Sequence, residues 1–359
     1  MRRALLPTLL LALALASSAT AAGGLHVSGN QLQSGDGHQF ILRGVNRSGS
    51  EYSCVQGRGF FDGPSSDRSV RAISSWHVNF VRVLLNEDCW LGINGVKRKY
   101  SGTAYREAIQ RYVRLLHRHG MYVELSLIWG APGRHLATAQ PAAPDEDHSP
   151  AMWRSMAKTF KRDHHVILAP WGEPVVSADC LLHGGFCQAT WGKGSKRKHY
   201  RTAGMQQAVR VMRRAGYRGP IAIPGLSYAN DMRQWLSHEP NDPLHQLIAE
   251  AHVYGKNLCS SVSCFDESMA PVAAQVPLIF GETGETYDSS DCGSSNIAIF
   301  LQWADAHNVG YATWTWDAWG TCNSLIKNYG GKAAHVYGRF VHDYLATNAP
   351  STHRLGGRT

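Results

Sequence analysis

Glu282 closes the apolar start of the stretch PLIFGETGETYDSSDCG (277–293), and a second glutamate, Glu285, follows it. Glu173 closes another such run, VILAPWGEP (166–174). Other residues able to do chemistry stand in or at the ends of similar runs: Arg82 in VNFVRVLL, His252 and Tyr254 in IAEAHVY, and Trp314, Trp316 and Asp317 in GYATWTWD. Two carboxylates facing each other across one cleft suit cleavage of a glycosidic bond. One glutamic acid protonates the leaving oxygen, and the other carboxylate attacks or stabilises the oxocarbenium-like centre. Aromatic side chains offer flat apolar faces on which sugar rings stack. Glu285, beyond the end of its run, is expected behind the site or as a solvated turn carboxylate.

Such residues must be brought to one place, and the chain contains the elements to do it. Eight short apolar runs recur, at 40–46, 78–85, 122–129, 166–174, 220–225, 248–254, 277–284 and 310–317. They read as near-continuous apolar text rather than strict alternation, as strands covered on both faces should. Between them lie stretches of helical period: Ile109, Tyr112, Val113 and Leu116, then Met205, Ala208, Val209 and Met212, then Ile297, Phe300, Leu301 and Ala304. Ser149 followed by Pro150 reads as an N-cap and first helical position. Strand and helix alternating through eight units, with no linker rich in Pro, Gly or Ser, predict a single-domain α/β (β/α)8 barrel. A doubly wound open sheet is the alternative. The barrel places catalytic residues at the C-terminal ends of strands, where Glu173, His252, Tyr254 and Glu282 fall.

Residues 1–22 have an arginine pair, an apolar stretch and a small-residue end, the layout of a secretory signal peptide. The expected organisation is a signal at 1–22, the barrel at 23–350 and a short polar tail at 351–359. The mature protein is expected to be secreted, monomeric and free of any membrane span. The chain carries eight cysteines, an even number that suits an oxidising compartment, with Cys180/Cys187 and Cys259/Cys264 as loop staples. None falls in a CxxC pair, so no zinc site is predicted, and nothing calls for another metal or an organic cofactor. The net charge of +9 concentrates in KGSKRKHYR (193–201), which lacks the interleaved aromatics of a nucleic-acid platform and reads as a solvated face. His164 and His165 read as surface residues. The segment Asn46-Arg47-Ser48 fits a glycosylation sequon at a strand end. No GxSxG elbow, HExxH, phosphate loop or dinucleotide fingerprint occurs.

Taken in order, LHVSGNQLQSGDGHQFILRGVN, VNFVRVLL, EAHVYGKN, IFGETG and YATWTWDAW resemble the family 5 glycoside hydrolases, the secreted cellulase-like barrels. The resemblance implies Glu282 as nucleophile, Glu173 as acid/base, Arg82 as partner of the nucleophile, His252 and Tyr254 as lining of the catalytic subsite, and Trp316 as platform under the reacting sugar. By that implication the partner is a polysaccharide or oligosaccharide, cleaved at a β-glycosidic bond by double displacement. Two positions depart from the family: Gly172 stands where an asparagine reads the sugar's 2-hydroxyl, and Ile128 where a histidine is usual. Open alternatives are a different sugar or linkage (mannan, xylan or an arabinose-containing polymer) and a non-catalytic carbohydrate-binding protein on a decayed barrel. His252 and the strand-eight tryptophans have core packing as their alternative.

Overall fold

The computed structural model describes residues 24–348 apart from 193, 195, 196 and 289. The proposed signal segment and the polar tail lie outside the described residues. Eight parallel strands close into a barrel: β1 (Arg43–Arg47), β2 (Phe80–Asn86), β3 (Tyr122–Trp129), β4 (Val166–Ala169), β5 (Ile221–Pro224), β6 (Leu247–Gly255), β7 (Leu278–Thr286) and β8 (Gly310–Thr313). Each pairs in parallel with its sequence neighbour, β8 returns to β1, and closure rests on this ring of pairs. Helices α1 (Asp67–Ser74), α2 (Thr103–Arg118), α3 (Ser149–Phe160), α4 (Met205–Arg214), α5 (Val262–Ser268), α6 (Ser295–Ala306) and α7 (His335–Thr347) lie around the strands. Their apolar faces are those the sequence period picks out: all twelve residues named from the three helical stretches are buried.

The alternation of strand and helix fails in one unit. Between β5 and β6 the chain makes only a four-residue turn at Leu226–Ala229 and a 3-10 turn at Leu236–His238. Pro240 and Pro243 prevent a long helix there, and Trp235 covers the strands instead, buried with its indole N–H donating to Ile223 O at 3.0 Å. Helix α3 begins at Ser149 with His148 as its cap residue, one position earlier than predicted. The Ser149 hydroxyl does not cap; it donates to Glu87 Oε1 at 2.6 Å.

Period two within the strands builds the barrel lumen in layers. Phe80, Ile167, Ile248 and Ile279 form an apolar floor, closed from below by Leu25, Leu32 and Phe40 of the N-terminal hairpin and its continuation. One step up each strand the floor gives way to Arg82, Glu124 and Glu250. Glu124 on β3 is the register partner of Arg82 on β2, whereas Glu250 on β6 meets Arg82 across the lumen. The intervening Val81, Val83, Val123 and Leu125 face outward to the helices. All eight cysteines are paired: Cys54–Cys89, Cys180–Cys187, Cys259–Cys264 and Cys292–Cys322. The two short-range pairs are those expected from spacing.

Candidate active site

Above the charged layer the strand ends open into a cleft of about 380 Å3, lined by Glu173, Glu282, Tyr254, Trp314, Gln140 and Ile128 among others. Glu282 reaches it through a bulge in β7. Opposite β6, Ala251 pairs with Phe280 and His252 with Glu282, so Gly281 is skipped in the register. A bulge of this kind re-aims the following side chain, here into the cleft. Gly281 is glycine because a Cβ there would lie 2.0 Å from Glu250 Oε1. The close approach comes from a buried carboxylate beneath the site.

Three groups hold Glu282. Arg82 Nη1 donates to Oε1 at 2.7 Å and the Tyr254 hydroxyl to Oε2 at 2.9 Å, while His252 Nδ1 stands 3.6 Å from Oε2. Asn46 ties Arg82 and the bulge together, accepting from Arg82 Nη1 at 3.0 Å and donating to Gly281 O at 3.0 Å. Burial pushes the Glu282 carboxyl up, but His252, Arg82 and Tyr254 together outweigh it and hold the group below the usual carboxylate range. Tyr254 stays a donor, because burial and the neighbouring Glu282 and Glu173 charges raise its phenol.

Glu173 lies four residues past the end of β4 and is partly exposed, at 21% of its side chain. Its Oε1 faces His252 Nδ1 at 2.9 Å, and Gln140 Nε2 donates to Oε2 at 3.2 Å and to the backbone oxygen at 2.9 Å. His252 Nε2 faces Glu250 Oε1 at 3.1 Å, so both ring nitrogens meet carboxylates. Burial disfavours the imidazolium, yet the Glu282 charge and the bonds to Glu173 and Glu250 push His252 up to about 10. The ring is therefore a cation at neutral pH that bridges the two cleft glutamates. One oxygen each of Glu173 and Glu282 and one His252 nitrogen all lie within 4.8 Å of one another.

Five of the six predicted site residues, Arg82, Glu173, His252, Tyr254 and Glu282, converge at the cleft. Trp316 does not. It is fully buried, its ring centroid 4.9 Å from that of Trp76 in an edge-to-face contact. Strand β8 ends at Thr313, so period two does not carry residues 314 and 316 onto one face. Trp314 is the strand-eight tryptophan that lines the cleft. Tyr52, Trp129 and Trp319 extend the aromatic lining into an adjoining cavity of about 470 Å3. Glu285 does not line the cleft and is not solvated. It is buried and caps α6, its Oε1 accepting from Asn296 N at 3.1 Å and its Oε2 from Ile297 N at 3.0 Å. Asn46, the first residue of the sequon, is fully buried and engaged with Arg82, which removes it as a glycan acceptor.

Sequence reasoning missed the residues that support Arg82. Arg82 Nε donates to Glu124 Oε1 at 2.7 Å and lies 3.0 Å from Glu250 Oε1, and Nη2 donates to Ser126 Oγ at 2.9 Å. Burial and Glu250 push Glu124 up to about 8, against the pull of Arg82. The signal was present: a glutamate inside each of YVELSLIW and IAEAHVY is a charge inside a buried strand, and such charges are almost always paired. Glu51 and Gln140 belong to loops and left no comparable mark.

Gly172 and Ile128 occupy one place. A Cβ built on Gly172 would stand 3.0 Å from Ile128 Cδ1 and 3.5 Å from Arg82 Nη2. Ile128, almost wholly buried, fills the room a larger residue at 172 would need. The two departures from the family pattern are therefore one structural change.

This lumen and cleft are those of the (β/α)8 glycoside hydrolases. The family model for cellulase (glycosyl hydrolase family 5) matches residues 35–320, and the chain belongs to that family. It is similar to the mannan endo-1,4-beta-mannosidase of Streptomyces lividans, 23% identical over 308 residues that cover 82% of this chain and 67% of that protein. It is also similar to the beta-mannanase/endoglucanase A of Caldicellulosiruptor saccharolyticus, 24% identical over 259 residues, 70% of this chain but only 17% of that much longer protein. Among solved structures, the beta-glucanase of Saccharophagus degradans in complex with cellotetraose superposes with a TM-score of 0.65 over 91% of this chain and 94% of that one, at 16% identity.

Proposed function

We propose that the protein is a retaining β-glycosidase, secreted after removal of residues 1–22, that cleaves a β-linked glucan or mannan of cell walls. The observation that carries this reading is the approach of the two carboxylates, with oxygens of Glu173 and Glu282 within 4.8 Å of each other. Retaining enzymes separate the two carboxyl groups by about 5–5.5 Å, whereas inverting enzymes leave about 6.5–9.5 Å for a water. In the first step an oxygen of ionised Glu282 bonds to the anomeric carbon while the glycosidic C–O bond breaks and Glu173 gives its proton to the leaving oxygen. In the second, Glu173 takes a proton from water, the water oxygen bonds to the anomeric carbon, and the Glu282 ester bond breaks.

The site is arranged for both steps. Arg82 and Tyr254 keep Glu282 ionised and aimed before attack. Once Glu282 is esterified its charge is gone, and with it the largest influence holding the proton on His252. Glu173, having given its proton to the leaving oxygen, is then the ionised carboxylate beside His252 Nδ1, at 2.9 Å.

The deciding experiment is release of new reducing ends from cellulose, mixed-linkage glucan, mannan, xylan and arabinan, with NMR of the first-formed anomer. The reading expects β-anomer from a glucan or mannan, and mass spectrometry of a trapped glycosyl-enzyme at Glu282. First-formed α-anomer refutes the retaining mechanism. The filled position at Ile128 and Gly172 favours one rival, a carbohydrate-binding barrel without turnover. That rival requires no release from any polymer and equal polymer binding by wild type and Glu282→Gln.

A further inference from the structure

Glu51 is a third carboxyl group in the wall of the cleft that holds Glu173 and Glu282, and the mechanism above leaves it without a role. We propose that Glu51 binds substrate directly, through a hydrogen bond between its carboxyl group and a hydroxyl of the sugar held at the glutamate pair, and so helps to select which sugar is accepted. This inference rests on the retaining-glycosidase reading.

The position is built rather than accidental. Glu51 follows β1 and sits over the end of β2: its backbone oxygen accepts from Asn86 Nδ2 at 2.7 Å, and the preceding Ser50 hydroxyl donates to Leu84 O. The Ser50 backbone oxygen accepts from the Tyr105 hydroxyl at 2.8 Å, and the Cys54–Cys89 disulfide ties the same loop to the segment after β2. The carboxyl itself is fixed by the Gly49 N–H, which donates to Oε2 at 2.7 Å. Its own backbone N–H also lies against the carboxyl, and because the Gly49 bond goes to Oε2, Oε1 can face a ligand. A side chain so held has lost its rotamer freedom before substrate arrives, and binding need not supply that ordering.

The surroundings say what it would bind. Following the strand ends round from β2 to β3, the wall offers the apolar Leu84 and Ile128. A sugar hydroxyl turned toward these would lose its water without a partner, a cost that a single well-placed polar group removes. Glu51 is a carboxyl group in that wall, which also holds Tyr52 and Gln140. Burial pushes its carboxyl up to about 8, the Asp62 charge adding to the rise and the bond from Gly49 and the Arg47 charge opposing it. Tyr52 and Tyr105, the other titratable groups beside it, are themselves raised and stay neutral, and Glu173 and Glu282 share the cleft. At neutral pH the group can therefore both donate to and accept from a hydroxyl; once ionised it can only accept.

The test compares wild type with Glu51→Ala and Glu51→Gln, by kcat and KM and, in the Glu282→Gln background, by calorimetric titration with cellotetraose and with mannotriose. Losing one substrate hydrogen bond predicts about a tenfold rise in KM and Kd for Glu51→Ala with kcat within about threefold. Glu51→Gln, which can still donate and accept, is expected within about threefold of wild type. Affinity of the protein that keeps Glu51 should change as pH rises through about 8, and that of Glu51→Gln should not. Unchanged Kd in a folded Glu51→Ala overturns the proposal, as does equal impairment of both variants in thermal midpoint and kcat, the pattern of a merely structural role. A wild type that neither binds nor cleaves either oligosaccharide sinks the glycosidase reading and this inference with it.

Discussion

Arg82 is the residue on which the charged lumen depends, and replacing it with glutamine gives a test with a worked magnitude. The guanidinium touches Glu282 at 2.7 Å, Glu124 at 2.7 Å and Glu250 at 3.0 Å, and is wholly buried. Removing one partner of a buried ion pair costs about 3–5 kcal/mol, because the remaining charge is left unsolvated. Glu124, pushed up to about 8, is already neutral near pH 7 and adds little there. The expected loss at pH 7 is therefore about 3–5 kcal/mol rather than a multiple of it, a large part of the roughly 5–15 kcal/mol of a typical domain. The pH dependence gives the sharper signature. In wild type the Glu282 carboxyl is held low, so its contribution to stability is present above the unfolded pKa and is lost as pH falls through the folded value. Without Arg82, only His252 and Tyr254 oppose the burial that pushes the Glu282 carboxyl up, so its pKa rises and less stability is gained as pH climbs through it. The deficit of Arg82→Gln should widen from pH 5 to pH 9 in urea denaturation, and the acid limb of kcat/KM should move upward. A deficit constant over that range, or an unmoved acid limb, would refute the assignment of Arg82 as the partner that keeps Glu282 ionised.

Two further outcomes follow from packing. Gly172→Ala places a methyl 3.0 Å from Ile128 Cδ1, an overpacking cost of about 1–3 kcal/mol. The glycine-to-alanine gain of about 0.4–1 kcal/mol offsets part of this, leaving a net loss near 1 kcal/mol. Adding Ile128→Val removes Cδ1, so a double-mutant cycle by chemical denaturation should show coupling of about 1 kcal/mol in the stabilising direction; additive effects would show the two positions to be independent. The two strand-eight tryptophans should separate cleanly. Trp314→Ala raises KM for polysaccharide with little change in stability, whereas Trp316→Ala, emptying a fully buried site, costs about 3–5 kcal/mol in denaturation experiments.

The sequence by itself determined the barrel and most of its catalytic face. Eight apolar runs separated by helical periods leave few ways to bury both faces of every strand, and a parallel barrel is the one that fits this number. Given the barrel, strand ends are where the chain can expose side chains without breaking the sheet, which located Glu173, His252, Tyr254 and Glu282. Periodicity could not survive where the regular strand stops. Trp314 and Trp316 exchanged roles because β8 ends at Thr313, and Ser149 turned from capping its helix to bonding Glu87. Only the tertiary structure decided which charges meet. Glu124 and Glu250 lie far from Arg82 in the chain; strand pairing sets Glu124 beside it and Glu250 reaches it across the lumen, and Glu285 was indistinguishable from Glu282 by type until α6 offered it two backbone N–H groups. Ile128 and Gly172, read in the sequence as two separate departures, proved to be one, because whether a side chain has room is set by its neighbours in space, and the order of residues along the chain does not record them.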